Sequence, residues 1–506
     1  MDHVDERSRL LPHQPDEDSG DASAATSPRP ETSAAFPRRN LIHCILILTL
    51  KFLFLLSFNF QVGPLLTAVL TRNVCHREHP ELDPGSPECF IHGEVRSELV
   101  LFTRWNYALN NVPGILTALP YGFLADQYGR KRGLYLSLVG VALAQLCSII
   151  IYFWPDVFHY RLALISPFFM FIGGGSVVFS ALLFAMLSDL APDAYRTTTF
   201  FGMAGSVIAA GQLVSPLVSI LSQKNIWLPV FIGVSLYIPI VAIALYLPET
   251  LDRKALPDVV APDLADTALD NQEARDIDVQ NHDRPSWIHR WRSLTEGTHR
   301  FRVAALSMFW GDRQVTFLLL TVFLTVLGEG ATYIQSKYIT RRFELSWSTI
   351  YYIIYCWAAL SAILVLLFLP AVNYHLTTKM AMPPQKRDLL LARIGIILLI
   401  VGYLVVGLAE TSSLMLIGLG ISCFGFPLEY ILRGLLAQLV EAHKRGLLFT
   451  SIALVDNLGT IFTYLLMTLC FDLGEAGGGR WLGVPFLTAT FFFALATPIL
   501  YYIRVM

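Results

Sequence analysis

Gly122-Phe-Leu-Ala-Asp126-Gln-Tyr-Gly129-Arg130-Lys131-Arg132-Gly-Leu134 is the stretch on which the reading of the chain turns. It is a short polar hinge between two long apolar runs, residues 99–121 and 134–153. Each run is about long enough to cross a hydrocarbon core of roughly 30 Å. The hinge therefore joins two membrane-crossing helices on one face of a bilayer. Its consecutive bases, Arg130, Lys131 and Arg132, assign that face to the cytoplasm. Gly122 and Gly129 have no Cβ, so the backbone can turn and helices can approach closely. Asp126 is an acid at a membrane boundary, which requires a base or a helix N-terminus beside it.

Composition agrees with the hinge. Of 506 residues, 54% are hydrophobic and only 15% are charged, whereas soluble domains carry about 25% charged residues. That excludes a soluble enzyme. The net charge of −2 and the lack of a basic tract point away from nucleic acid. Residues 1–40 are polar, partly acidic and rich in Pro, Ser and Ala, without a signal-peptide pattern, and read as a disordered cytoplasmic tail.

Working outward from the hinge, apolar runs cover residues 41–70, 162–187, 198–221 and 226–247 in the first half. The first run exceeds what a bilayer requires, so its start is read along the inner surface, with Lys51 reaching toward lipid headgroups. A charged stretch, 251–312, follows as a cytoplasmic central loop, and its residues 286–310 read as an amphipathic helix on the inner leaflet. Six more runs follow at 315–338, 348–369, 389–408, 413–439, 447–471 and 482–503. The expectation is an all-α membrane protein of 12 transmembrane helices, with six-helix bundles at 41–250 and 313–506 and both termini inside. Arg341 and Arg342 fall on the outer side of helix seven against the positive-inside trend, but the other inner loops outvote them. The Gly173-Gly174-Gly175 run in helix four is read as a close-packing surface. Cys75 and Cys89 share a polar loop outside the cytosol, where a disulfide persists, and are expected to pair.

Ionisable residues at membrane depth face a partner or water by default, because lipid exposure costs a few kcal/mol or more. Arg104 lies about two turns into helix two, Glu329 past the middle of helix seven, and Asp456 midway along helix eleven. Glu429 and Arg433 are four apart in helix ten, the spacing of a local ion pair. Glu329 has no base within helical reach, so a proton or a distant partner must relieve it, which suits a carboxyl that loads and unloads a proton. No histidine lies mid-span, no Cys/His cluster has metal-ligand spacing, and no phosphate-binding Gly-x-x-x-x-Gly-Lys loop occurs. Neither a metal, a cofactor nor ATP drive is expected.

Gly122, Leu124, Asp126, Gly129, Arg130 and Lys131 match the signature loop between helices two and three of the major facilitator superfamily, G-x-L-x-D-x-x-G-R-[KR], which the chain resembles over about residues 41–504. Gln127 departs from the base usual after the aspartate, and the glycines of the second copy are missing around Lys379, Lys386, Arg387 and Asp388. The resemblance implies two rocking halves around a cavity lined by helices one, four, seven and ten, which puts Glu329 and Glu429 near the substrate path. It also implies that Asp126 docks on the N-terminal end of helix eleven near Gly446 and Leu447, and that Arg130 pairs with Asp189, holding an inner gate shut. Phe169 stands where drug:proton antiporters carry an arginine, and the cysteine-bearing outer loop and charged central loop are similar to fungal general-substrate members. The expected function is secondary active transport of a small organic molecule, proton-coupled and outward, by a monomer in the plasma membrane. Alternatives are proton-coupled uptake, a vacuolar nutrient carrier, for which Glu6, Leu10 and Leu11 resemble an acidic dileucine signal, or a non-transporting sensor.

Overall fold

The structure, a computed structural model, describes residues 37–78, 81, 93–251, 303 and 306–503. In chain order its helical spans are α1 (Arg38–Val62), α2 (Gly93–Tyr128), α3 (Arg130–Phe153), α4 (Tyr160–Leu190), α5 (Asp193–Lys224) and α6 (Leu228–Tyr246). The second half holds α7 (Arg313–Phe343), α8 (Ser348–Thr378), α9 (Pro384–Leu408), α10 (Ser412–Leu439), α11 (Ala442–Gly477) and α12 (Trp481–Tyr502). Backbone polar groups find no water in hydrocarbon, so long apolar sequence satisfies them within each helix. Eleven of these spans are long and apolar enough to cross a membrane. The remaining one, α2, has 36 residues, about 54 Å of helix, and its outer half is the polar one, with Arg104, Asn106, Asn110 and Asn111.

The hinge is shorter than the sequence suggests. Helix continues through Asp126 to Tyr128 and restarts at Arg130, so Gly129 alone turns the chain, at a φ of 112° that disfavours any side chain. The turn can be this abrupt because the first N–H groups of α3 meet a carboxylate from elsewhere, Glu249. The three glycines of α4 also differ from expectation. Gly173, Gly174 and Gly175 all have positive φ, 81°, 76° and 64°, and break the span into a 3₁₀ segment, Tyr160–Phe171, and an α-helix, Gly175–Leu190. They pack closely too, since a Cβ on Gly173 would run into the backbone of Leu136 and Ser137 in α3. Helix one is longer than residues 41–70: it passes Pro64 through a π-helical turn, Leu65–Val69, and continues as Leu70–Glu78. Two further π turns, Ala209–Leu213 in α5 and Leu364–Phe368 in α8, precede Pro216 and Pro370. Each proline lacks the N–H that would meet the carbonyl four residues back, and the ladder widens there.

One large buried core draws on both halves, from Ile47 and Leu134 through Phe184 and Phe200 to Leu436 and Phe449. A smaller cluster of Val74, Phe102, Tyr152, Tyr160 and Val230 closes the outer end of the first half alone. The apolar seam between the halves is therefore concentrated away from that outer end. Cys75 is engaged in a disulfide, while Cys89, the tail with Glu6, Leu10 and Leu11, and residues 286–302 of the expected amphipathic helix lie outside the described residues.

Candidate functional site

A cavity of about 310 Å³ opens between the halves, lined from α1, α4, α10 and α11; helix seven, expected in its wall, contributes none of the lining residues, and α11 contributes four. Helix periodicity places its wall residues. Lys51, Phe54, Leu55 and Phe58 recur three or four apart on α1, as do Val177, Ser180, Ala181 and Phe184 on α4. Lys51 is the first surprise. It does not reach the headgroups but is only 6% exposed, with its Nζ donating to Ser180 Oγ at 2.6 Å. It lies 13 residues into α1, roughly 20 Å from the helix start, which is too deep for a lysine stem to span. That depth was countable in the sequence and is the signal that snorkelling overlooks.

Across the cavity, Arg433 of α10 ties two acids. One turn back on the same helix it pairs with Glu429, and its Nη2 meets Asp456 Oδ2 of α11 at 2.5 Å. Its guanidinium also lies 5.0 Å from the Phe184 ring centroid and 5.6 Å from that of Tyr430, distances at which aromatic faces favour a cation. The other oxygen of Asp456, Oδ1, is buried without a hydrogen-bond partner among the described residues. Glu329, near the bend between the two parts of α7, lies close enough to interact with Glu429, Arg433 and Asp456. Its carboxylate makes no ion pair among the described residues. Two bases thus face three acids. Arg104, by contrast, is exposed and makes no ion pair among the described residues, so the structure does not bring it to this cluster.

A second polar assembly joins the inner ends of the halves. Asp126 Oδ1 accepts from the backbone N–H of Gly446 at 2.8 Å, and Oδ2 from that of Leu447 at 2.7 Å. These are orphan donors in the first turn of α11, where a carboxylate also opposes the positive end of the helix dipole. Gly122, one turn earlier on α2, faces Thr450 of α11 with no room for a side chain. Arg130, fully buried, pairs with Asp189 at the end of α4, lies 3.4 Å from Asp126 Oδ1, and donates to the carbonyl of Ala442 at 2.7 Å. Asp189 also meets Arg445 at 3.3 Å. The structure thus brings Gly122, Asp126, Arg130 and Asp189 together, while Lys131 points aside to the carbonyl of Leu245.

Two parts of this assembly escaped sequence reasoning. Glu249, just past α6, accepts from the N–H of Arg130 at 2.9 Å and of Lys131 at 3.1 Å, capping α3 as Asp126 caps α11. The second part is the degenerate inner loop of the other half. Arg387 and Asp388 are fully buried. Arg387 donates to the carbonyl of Ala194 and to Thr377, while Asp388 accepts from Thr197 of α5 and, at 2.7 Å, from Gln438 of α10. The missing glycines hid a contact that crosses between the halves all the same.

The sequence model of the Major Facilitator Superfamily matches residues 100–440. Among curated relatives, the MFS-type transporter aprT of Aspergillus flavus is 26% identical over 461 residues, covering 87% of this chain and 85% of that protein. The MFS efflux pump atnC of Emericella nidulans is 26% identical over 405 residues, covering 78% and 73%. Among solved structures, the human organic anion transporter MFSD10 superposes with a TM-score of 0.62 at 20% identity, covering 92% of this chain and 99% of that one. The proton:xylose symporter XylE also reaches 0.62, at 14% identity over 92% and 96%. At such identities the two structures speak for the fold.

Proposed function

We propose that this chain, which belongs to the Major Facilitator Superfamily and is an integral membrane transporter rather than an enzyme, exports a small organic molecule by proton-coupled alternating access. The observation that carries the coupling is the charge imbalance beside the cavity. Arg433 is committed to Glu429 and Asp456, and Glu329 stands beside them without an ion-pair partner among the described residues. An unpaired carboxylate at membrane depth is costly, so one proton on Glu329 relieves the site, and its release recharges it. The inner assembly around Asp126, Arg130 and Asp189 acts as the gate that closes while the cavity loads from the other side. The outward direction rests on relatives named efflux pumps, atnC and ustT.

The direction and cargo are tested by metabolite profiling of cells and medium, comparing a deletion strain with an overexpressor. A compound that builds up inside the deletion strain and outside the overexpressor supports export; one drawn from the medium only when the protein is present reverses the direction. Coupling is tested with that compound and Glu329→Gln in proteoliposomes under an imposed pH gradient. Gradient-driven uphill movement is expected to disappear while downhill exchange persists. A Glu329→Gln protein that still concentrates its substrate in response to the gradient removes Glu329 from the coupling step.

A further inference from the structure

The cavity holds two cations in unequal circumstances. Arg433 has two carboxylates. Lys51 is equally deep, at 6% exposure, yet its ammonium makes one hydrogen bond among the described residues, to the neutral hydroxyl of Ser180 at 2.6 Å. An ammonium has three donors, so two remain for whatever enters. No carboxylate pairs with Lys51 among the described residues: Glu429 is bound by Arg433, and Asp456, which lines the same cavity, is held by Arg433 through Oδ2. Around Lys51 the wall is aromatic. Phe54, Phe58, Phe184 and Phe449 line the cavity, with Phe184 and Phe449 stacked at 5.8 Å and 17° between planes. A buried charge without a counter-charge is expensive, and apolar walls with a few convergent polar groups are the usual make-up of a small-molecule site.

We infer that the transported molecule is an organic anion, a carboxylate whose charged group pairs with Lys51 and whose apolar or aromatic body rests on Phe54, Phe58, Phe184 and Phe449. The volume, about 310 Å³, lies at the small end of the range for ligand pockets, ~300–1,000 Å³, and favours a compact aromatic acid over an extended one. The inference rests on the reading of this cavity as the transport site, and it adds the charge of the cargo. Entry of a monoanion gives the ammonium of Lys51 a direct partner, which the nearby acids held by Arg433 do not supply.

The test uses the full-length protein, purified in detergent, and a matched panel of compact aromatic carboxylates, their primary amides and the corresponding amines, with binding read by calorimetry and thermal shift. The wild-type protein is expected to bind at least one carboxylate roughly ten- to a hundredfold more tightly than its amide, the range for a hydrogen-bonded charge against a neutral isostere. Lys51→Gln should bring acid and amide to within about twofold of each other, and Lys51→Arg should retain the preference. The comparison of acid with amide on the wild-type protein needs no variant, so a misfolded Lys51→Gln protein would not spare the inference. Equal or tighter binding of amides or amines overturns it, and so does failure of every carboxylate to bind at about 1 mM. Transport is scored separately in proteoliposomes. Proton-driven movement of amines alone leaves the transporter reading standing and removes the anion. Lys51-dependent carboxylate binding without any transport does the reverse.

Discussion

Asp126→Asn is the substitution that separates a gate from a structural contact. It is isosteric, so the packing of Gly122 against Thr450 stays as it is. What changes is the pairing at α11. The carboxylate accepts from two backbone donors, Gly446 and Leu447, and lies beside the buried guanidinium of Arg130. An amide keeps one acceptor and turns an NH₂ toward a donor. One charge-assisted hydrogen bond, worth about 1.5–3 kcal/mol, is lost, together with the interaction of an anion with a helix N-terminus, ~0.3–1 kcal/mol. The sum, about 2–4 kcal/mol, falls on the inner-closed state alone, and it shifts the balance between inner-closed and inner-open forms by roughly 30- to 1,000-fold. The readout is the distribution of distances between spin labels at the inner ends of α2 and α11, measured by pulsed electron resonance with and without the substitution, alongside transport. Opening of the inner end and a loss of turnover, in protein that reaches its membrane, are expected. An unchanged distance distribution with unchanged turnover would refute the idea that these two bonds hold the gate.

Three other outcomes follow from the geometry. Glu249→Gln weakens the cap on α3, where one side chain serves the N–H groups of Arg130 and Lys131, and should lower thermal stability by about 1–2 kcal/mol in a detergent melt; a melting temperature equal to wild type would discount the cap. Asp388→Ala strands Thr197, Gln438 and the buried Arg387, with an expected loss of about 3–5 kcal/mol, whereas removing both charges with Arg387→Met and Asp388→Leu should cost much less; melts of the two proteins decide, and equal losses would argue against a buried pair. Gly173→Ala places a Cβ at a φ of 81° against the Leu136 backbone, so a loss of at least about 1–2 kcal/mol is expected, and wild-type stability in the same melt would show that the break in α4 is not needed.

The fold was legible because a bilayer leaves few solutions for long apolar runs. The hinge residues carry the family, and the ends of α2, α4 and α11 come together on residues that the sequence names, Asp126, Asp189, Gly446 and Leu447. The rest was hidden for identifiable physical reasons. Lys51 was misplaced because an apolar run with one lysine admits both snorkelling and burial, and only depth along the helix separates them. Glu249 was invisible as a cap because its partners are 118 and 119 residues away in sequence, and caps are ordinarily sought within a few residues of the helix they serve. The break in α4 looked like a packing surface because close approach and left-handed backbone ask for the same residue, glycine. Arg104 went the other way: a charge inside an apolar run drew attention, but on the 36-residue α2 it is exposed and stands apart from the acids of the cluster.

The two inner contacts are built with unlike chemistry, and the difference bears on how the cycle turns. In the first, an acid on α2 binds the N-terminus of α11 and a buried arginine holds the end of α4. In the second, the ion pair of Arg387 and Asp388 is internal to α9, and the links that cross to α5 run through the Thr197 hydroxyl and the Ala194 carbonyl. Opening the second contact costs hydrogen bonds while its charges remain paired. Opening the first parts an anion from its donors in another half of the molecule. The first contact is therefore the stiffer restraint, and it ends on α11, the helix that also carries Asp456. Gly446 and Asp456 are ten residues apart on one continuous helix, about 15 Å along its axis. Any event in the cavity that alters the hold of Arg433 on Asp456 acts on the same helix that Asp126 grips at its inner end, so in the proposed cycle cavity and gate need no longer path between them than a single helix.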